Sequence, residues 1–209
     1  RLDADRLRAA LGDAERRYPA EINRLREELD ASRSEGSELT GRLVAAESDS
    51  RRRFDQLTLT PATLHNLEQL GYTQMTPIQA ASLPLTLAGQ DLIAQASTGS
   101  GKTAAFGLPL VEKLTANFHA VQALVMCPTR ELADQVTTEI RRLARATANI
   151  KVVTLCGGVA LRGQEQSLQH GAHVVVGTPG RILDHLTRGN LRLDSVKTLV
   201  LDEADRMLD

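Results

Sequence analysis

The chain has 209 residues, enough for one ordinary domain with an appended segment, and its formal net charge is −1. A chain so close to neutral is not a generally basic nucleic-acid-binding protein, and any nucleic acid would have to bind a local patch. Aromatic residues make up only 2% of the chain, which predicts an aliphatic core. No apolar run reaches the roughly 18 residues of a membrane span and no signal peptide is recognisable, so we expect a cytoplasmic protein.

Residues 1–53 differ in composition from the rest, with twelve arginines, no lysine and twelve acidic residues. Apolar residues recur with heptad-like spacing between Tyr18 and Leu29, while Pro19 and the Ser/Gly-containing run at 34–37 interrupt the pattern. The pattern predicts an α-helical arm with two open interpretations, a solvated amphipathic helix or a surface for helical pairing. Because the chain begins with Arg1, we also expect a fragment or a processed chain.

From Phe54 onwards, helical and strand-like patterns alternate. Thr60-Pro61 and Thr76-Pro77 each resemble an N-cap followed by proline at the first helical position. Strand-like runs follow at 92–96, 123–127, 152–155, 173–177 and 198–201, separated by helical patterns at 102–115, 130–145, 161–169 and 179–188. Consecutive βα units predict an α/β fold, a parallel sheet with helices on both faces, whose ligands bind at the carboxyl ends of the strands.

A glycine-rich turn after the first strand-like run has the pattern of a phosphate-binding loop. It consists of Ala96, Ser97, Thr98, Gly99, Ser100, Gly101, Lys102 and Thr103. The glycines allow successive N–H groups to point at an anion, and the following helix adds its positive dipole end. Lys102 is placed to reach the β- and γ-phosphates, and the Thr103 hydroxyl to ligate Mg²⁺. The alternative is a turn that merely joins a strand to a helix.

Two carboxylates directly follow the last strand-like run. Asp202 is placed to hold the Mg²⁺ of a bound triphosphate, and Glu203 to orient or deprotonate an attacking water. The alternative is an acidic helix start, since acidic residues favour the first helical turn.

Taken together, these motifs resemble the first RecA-like domain of a DEAD-box RNA helicase. The resemblance covers Phe54 to Asp209 and rests on Phe54 with Gly71-Tyr72 and Thr76-Pro77-Ile78-Gln79 (Q motif), residues 96–103 (motif I), Pro128 to Ala133 (motif Ia), Gly157-Gly158, Thr178-Pro179-Gly180-Arg181 (motif Ib) and Asp202-Glu203-Ala204-Asp205 (motif II). The runs Cys127 to Val136 and Leu155 to Gly158 resemble bacterial ribosome-assembly members of the family, which implies ribosomal RNA as a partner.

The resemblance implies ATP with Mg²⁺ as cofactors and RNA unwinding as the activity. Gln79 is expected to read adenine and Phe54 to stack on it, while Lys102, Asp202 and Glu203 act in hydrolysis. The RNA backbone is expected to contact Thr129, Arg130, Gly157, Gly158, Thr178, Pro179, Gly180 and Arg181. The family's second RecA-like domain has no counterpart after motif II, so we expect the chain alone to bind ATP weakly and hydrolyse it poorly.

Two other functions stay open at this stage. One is a P-loop translocase that acts on DNA, and the other is a non-enzymatic interaction module that uses the helical arm. The cysteines, Cys127 and Cys156, are expected to be buried and reduced. The histidines lack metal-ligand spacing and are expected to be structural or superficial: His65, His119, His170, His173 and His185. The RNA target, the oligomeric state and the purpose of residues 1–53 do not follow from the sequence.

Overall fold

A computed structural model describes residues 53–208, and the predicted helical arm lies outside the described residues. The helices are α1 (Pro61–Gln69), α2 (Pro77–Leu87), α3 (Lys102–Glu112), α4 (Arg130–Leu143), α5 (Leu161–Gln169), α6 (Pro179–Thr187) and α7 (Asp205–Leu208). The strands are β1 (Ala123–Met126), β2 (Val152–Leu155), β3 (Val174–Gly177) and β4 (Thr198–Leu201), and short 3-10 turns lie at Phe54–Gln56 and Ala144–Ala146.

The four strands form one parallel sheet in the order β2-β3-β1-β4. Ala123 pairs with Val174 on one side and with Thr198 on the other, so β1 and β3 occupy the centre. Because all strands are parallel, their carboxyl ends lie on one edge of the sheet. That edge carries the segments that follow β1, β2, β3 and β4, which include the predicted RNA-binding residues and the two predicted carboxylates, Asp202 and Glu203.

In β1, β2 and β3, successive side chains enter two different cores. Ala123 and Val125 pack in the core built with α1 to α4. Leu124 and Val175 pack in the second core, which contains Ile182 of α6. This alternation is the consequence of the two-residue period of a strand, and it confirms the predicted parallel sheet with helices on both faces.

The helix starts follow local rules in the sequence. The N–H of Thr63 donates to Oγ1 of Thr60 at 3.2 Å, which caps α1 ahead of Pro61. The second Thr-Pro pair likewise places Pro77 at the first position of α2. At α4 the cap is Thr129, whose Oγ1 accepts from the N–H of Leu132 at 3.3 Å. The predicted helices are therefore present, with α3 and α4 ending two or three residues earlier than expected.

The strand predicted at 92–96 is wrong. Residues 91–97 have no regular secondary structure and belong to no sheet, and Ile93 is 52% exposed. An apolar run favours a strand, yet a strand forms only when a neighbour supplies the ladder of hydrogen bonds. In the part of the chain that the structure describes, β4 pairs with β1 alone, and Leu199 and Leu201 on β4 are largely exposed. None of the described helices has the length and apolarity to cross a membrane.

Candidate functional site

The loop before α3 has the backbone of a phosphate-binding turn. Gly99 and Gly101 have φ values of 79° and 93°, a region that only glycine enters at low cost. Helix α3 begins directly after Gly101, so its free N–H groups and positive dipole end face the loop. Nζ of Lys102 donates to the carbonyl of Ala96 at 2.6 Å, so the side chain joins the end of the loop to its beginning.

Asp202 lies at the carboxyl end of β4, at the same edge of the sheet. Its N–H donates to the carbonyl of Met126 at 3.0 Å, which continues the β1–β4 ladder, and the residue is 8% exposed. Burial raises the pKa of the Asp202 carboxyl, while the positive charge of Lys102 acts in the opposite direction. The positive charge of Lys102 is therefore close enough to act on the Asp202 carboxyl, although no paired strand leads into the loop. That the two side chains meet around one metal-bound triphosphate stays a prediction.

Glu203 has a backbone conformation that is unusual for a residue with a side chain. Its φ is 51°, in the left-handed region, and its carboxylate forms an ion pair with Arg206 at 3.0 Å. Such strain is common at functional sites, where a side chain must be held in one direction. Glu203 is thus fixed beside Asp202 with its carboxylate held by α7.

The oxygen donors of this edge suit a hard cation. The Thr103 hydroxyl belongs to the first turn of α3, and the Asp202 carboxylate ends β4. Mg²⁺ prefers such oxygen ligands and commonly takes one or two from protein and the rest from phosphate and water. Residues 53–208 contain no group of three or more His, Cys, Asp or Glu side chains placed to hold a metal.

The predicted adenine-reading side chains are both buried. Gln79 is 1% exposed, and its amide joins α2 to the loop: Oε1 accepts from the N–H of Thr76 at 3.0 Å, and Nε2 donates to the carbonyl of Gly101 at 3.1 Å. Phe54 is 3% exposed and packs edge-on against Tyr72, with ring centroids 5.8 Å apart. Their contact with adenine stays a prediction and requires both side chains to become more accessible than they are in this structure.

The predicted RNA residues lie on the ends of β1, β2 and β3. Thr129 and Arg130 begin α4, and a Cβ atom added to Gly158 would lie 3.2 Å from Nη1 of Arg130. Thr178 begins α6, and its N–H donates to the carbonyl of Leu155 at 3.0 Å. The structure thus places these three motifs side by side, with Arg130 and Arg181 as their two cations. A cavity of about 530 Å³ lies at the opposite end of β2, and none of the predicted site residues line it.

Two buried polar residues behind these motifs were not among the predicted site residues. Gln164 is 7% exposed, and His185 is fully buried. Nε2 of Gln164 donates to the carbonyl of Cys156 at 2.9 Å, and the imidazole of His185 lies 3.0 Å from Oε1 of Gln164. A signal was present in the sequence, because Gln164 falls on the apolar stripe that Leu161 and Leu168 define at helical spacing.

Both cysteines are buried, as predicted. Cys127 follows β1, and burial raises its pKa to about 12, with a further contribution from the negative charge of Asp202. Burial also raises the pKa of Cys156. Neither thiol is therefore set up as a nucleophile, since the thiolate is the reactive form.

The family model described as DEAD/DEAH box helicase matches residues 76–209, more than half of the chain. The chain belongs to the DEAD/DEAH box helicase family. This confirms the resemblance drawn from the six motifs.

Two relatives within this family illustrate the extent of the match. The chain is 61% identical over 151 residues to the ATP-dependent RNA helicase DbpA of Escherichia coli, a match that covers 72% of the chain and 33% of that protein. It is 49% identical over 156 residues to the DEAD-box ATP-dependent RNA helicase CshA of Geobacillus kaustophilus, covering 75% of the chain and 33% of that protein. The DbpA match agrees with the resemblance of residues 127–136 and 155–158 to bacterial members of the family. The chain spans about a third of the length of these relatives.

A solved structure of the same family supports the fold. The crystal structure of a DEAD box protein from the hyperthermophile Methanococcus jannaschii superposes with a TM-score of 0.72 and 44% sequence identity, over 76% of this chain and 43% of that one. The RecA-like α/β fold predicted from the sequence is therefore confirmed.

Proposed function

We propose that this DEAD/DEAH box helicase chain is the ATP-binding half of an ATP-dependent RNA helicase. The observation that carries the proposal is the shared edge of the sheet, where the glycine-rich loop with Lys102 lies within electrostatic reach of Asp202. The printed functions of DbpA and CshA agree with it. Residues 54–209 form the proposed first motor domain.

In this proposal the loop and the first turn of α3 bind the phosphates of ATP. The N–H groups beside Gly99 and Gly101 donate to phosphate oxygens, and Lys102 exchanges its bond to the Ala96 carbonyl for the β- and γ-phosphates. Thr103 and Asp202 would hold Mg²⁺, which would supply positive charge to neutralise the transferred phosphoryl group. Glu203, held by Arg206, orients or deprotonates the attacking water.

RNA is proposed to bind along the ends of β1, β2 and β3. Arg130, Arg181 and the N–H groups at the starts of α4 and α6 supply donors for phosphate oxygens, and the bare backbone at Gly157 and Gly158 permits close approach. Binding of this kind tolerates different sequences and weakens with salt. The similarity to DbpA extends the proposal to ribosomal RNA as the target, to a role in ribosome assembly and to a cytoplasmic location. The composition of the arm extends it to helical pairing through residues 1–53.

In the proposed enzyme the ATP site lies between two motor domains, and this chain supplies the residues on one side of it. An arginine supplied from a second domain contributes about 10³–10⁵ to the rate of phosphoryl transfer in related enzymes. We therefore expect the 209-residue chain to bind ATP weakly and to hydrolyse it very slowly.

The decisive test compares nucleic acids as activators. The reading frame that contains this chain is expressed with a second motor domain, and its ATPase rate is measured with RNA or with DNA of the same sequence. RNA should stimulate the rate and DNA should not, while a Lys102→Ala variant should lack activity with either. Stimulation by DNA alone would point to a DNA translocase, and full activity in the Lys102→Ala variant would remove the nucleotide site from the mechanism.

A further inference from the structure

The buried amide of Gln164 lies behind the proposed RNA surface and contacts two of its parts. Gln164 is in the middle of α5, and its Nε2 donates to the carbonyl of Cys156, the residue before Gly157. Its Oε1 lies 3.0 Å from Nε2 of His185 and 3.4 Å from Nη1 of Arg181. The Gln164 side chain thus joins two side chains of α6 to the backbone just before Gly157 and Gly158, which form the double-glycine loop.

Arg181 is held on a second side by the same loop. Its Nη2 donates to the carbonyl of Val159 at 3.3 Å, and its side chain is 14% exposed. The Nε atom lies 3.9 Å from the Asp184 carboxylate, one turn further along α6. A guanidinium has five N–H donors, so these contacts orient the planar group and leave donors for a ligand. Val159 and Gln164, which contact Arg181, also line a cavity of about 270 Å³ together with Arg130 and Cys156.

The amide of Gln164 satisfies all of these partners at once, because it carries a donor and an acceptor on one group. The Cys156 carbonyl needs a donor, while Arg181 and a His185 imidazole protonated at Nε2 need an acceptor. Burial lowers the pKa of His185, which favours the neutral imidazole. Nδ1 of His185 has no hydrogen-bond partner among the described residues, so Nε2 is the atom through which the ring is fixed.

We infer that Gln164 is a positioning residue for RNA binding, which fixes the double-glycine loop and Arg181 relative to each other so that both reach the phosphates of one strand. The inference rests on the proposed RNA-binding function. Pre-organisation of this kind raises affinity because the ordering of the groups is achieved during folding rather than during binding. Its loss is expected to weaken RNA binding about tenfold, equivalent to 1.4 kcal/mol.

The experiment titrates the 209-residue chain with an oligouridylate and follows backbone amide and arginine Nε–H signals by NMR. Gln164→Met removes both hydrogen-bonding atoms at similar length, and Gln166→Met is the matched control, because Gln166 is an exposed glutamine on the same helix. Gln164→Met should bind RNA about tenfold more weakly than Gln166→Met. The Arg181 signal should also shift, while ADP affinity at the loop of Gly99 and Gly101 stays unchanged.

A second variant keeps the test decisive if Gln164→Met fails to fold. Gln164→Glu retains acceptors for Arg181 and His185 but sets a carboxylate against the Cys156 carbonyl. The Gly157 and Gly158 signals should therefore move, and RNA affinity should fall. RNA binding equal to the unaltered chain in either folded variant overturns the inference and leaves the proposed function intact. Absence of RNA binding by the unaltered chain overturns the proposed RNA function, and this inference with it.

Discussion

The substitution Gly101→Ala tests the contact between Gln79 and the phosphate-binding loop. Gly101 has a φ of 93°, and a Cβ atom placed there would lie 2.5 Å from Nε2 and 3.2 Å from Cδ of Gln79. The substitution Gly101→Ala therefore combines an unfavourable backbone conformation with the displacement of a buried amide. The amide would lose its bonds to Thr76 and to the Gly101 carbonyl.

The expected loss of stability follows from these two parts. A left-handed conformation costs a residue with a Cβ roughly 1–2 kcal/mol. Each of the two hydrogen bonds contributes about 1 kcal/mol, and more if a buried group is left unpaired. We expect Gly101→Ala to lower the free energy of unfolding by about 3–4 kcal/mol. Nucleotide affinity should fall as well, because the loop and the start of α3 move.

Gly99 provides the matched control. It has a φ of 79° in the same loop, but a Cβ atom there has no neighbour within 4 Å. Gly99→Ala should therefore cost only the conformational part, about 1–2 kcal/mol. Urea unfolding followed by circular dichroism gives both values, and a fluorescent ADP analogue reports binding. If the two variants agree within about 0.5 kcal/mol, the contact with Gln79 does not stabilise the loop. In a Gln79→Ala background the extra cost at Gly101 should disappear, as a double-mutant cycle would show.

Three further predictions concern buried polar groups. Burial raises the pKa of Cys127 to about 12, and Cys156 is also buried. Neither thiol should therefore react with Ellman's reagent at mildly alkaline pH until urea unfolds the chain. Rapid reaction of the folded chain would show that the thiols are not buried. Burial raises the pKa of the Asp202 carboxyl, so the protonated carboxyl stabilises the fold below its ordinary pKa, and this stabilisation is lost as the pH rises. Asp202→Asn should therefore raise the urea midpoint at neutral pH, while it should weaken Mg²⁺-dependent nucleotide binding about tenfold. An unchanged midpoint would be evidence against burial of the charge. Asn66 donates to the Arg142 and Leu143 carbonyls at 3.1 and 3.0 Å, so Asn66→Ala should cost about 1–3 kcal/mol in urea unfolding, whereas the exposed control Gln69→Ala on the same helix should cost less than about 0.5.

The sequence by itself determined the features that depend on neighbouring residues. The helix start at Thr60 follows from its side-chain cap and from Pro61, and the start at Thr76 follows from Pro77, since the φ of proline is set in advance. The turn at Gly101 follows from the freedom of glycine. The order of strands and helices after Phe54 follows from hydrophobic period, and the six spaced motifs identify the family. Each of these depends on interactions within a few residues, which is why the linear pattern is sufficient.

Only the tertiary structure decided which partners those elements have. Residues 92–96 have the composition of a strand but form none, because a strand needs a neighbour with which to pair. Gln79 is bonded to a loop 22 residues away, and Gln164 to a histidine 21 residues away. Such buried polar contacts depend on how helices are packed across the sheet, and a buried amide is retained only where every partner is in place. Distances of that kind are set by the packing of the whole domain rather than by any local stretch of sequence.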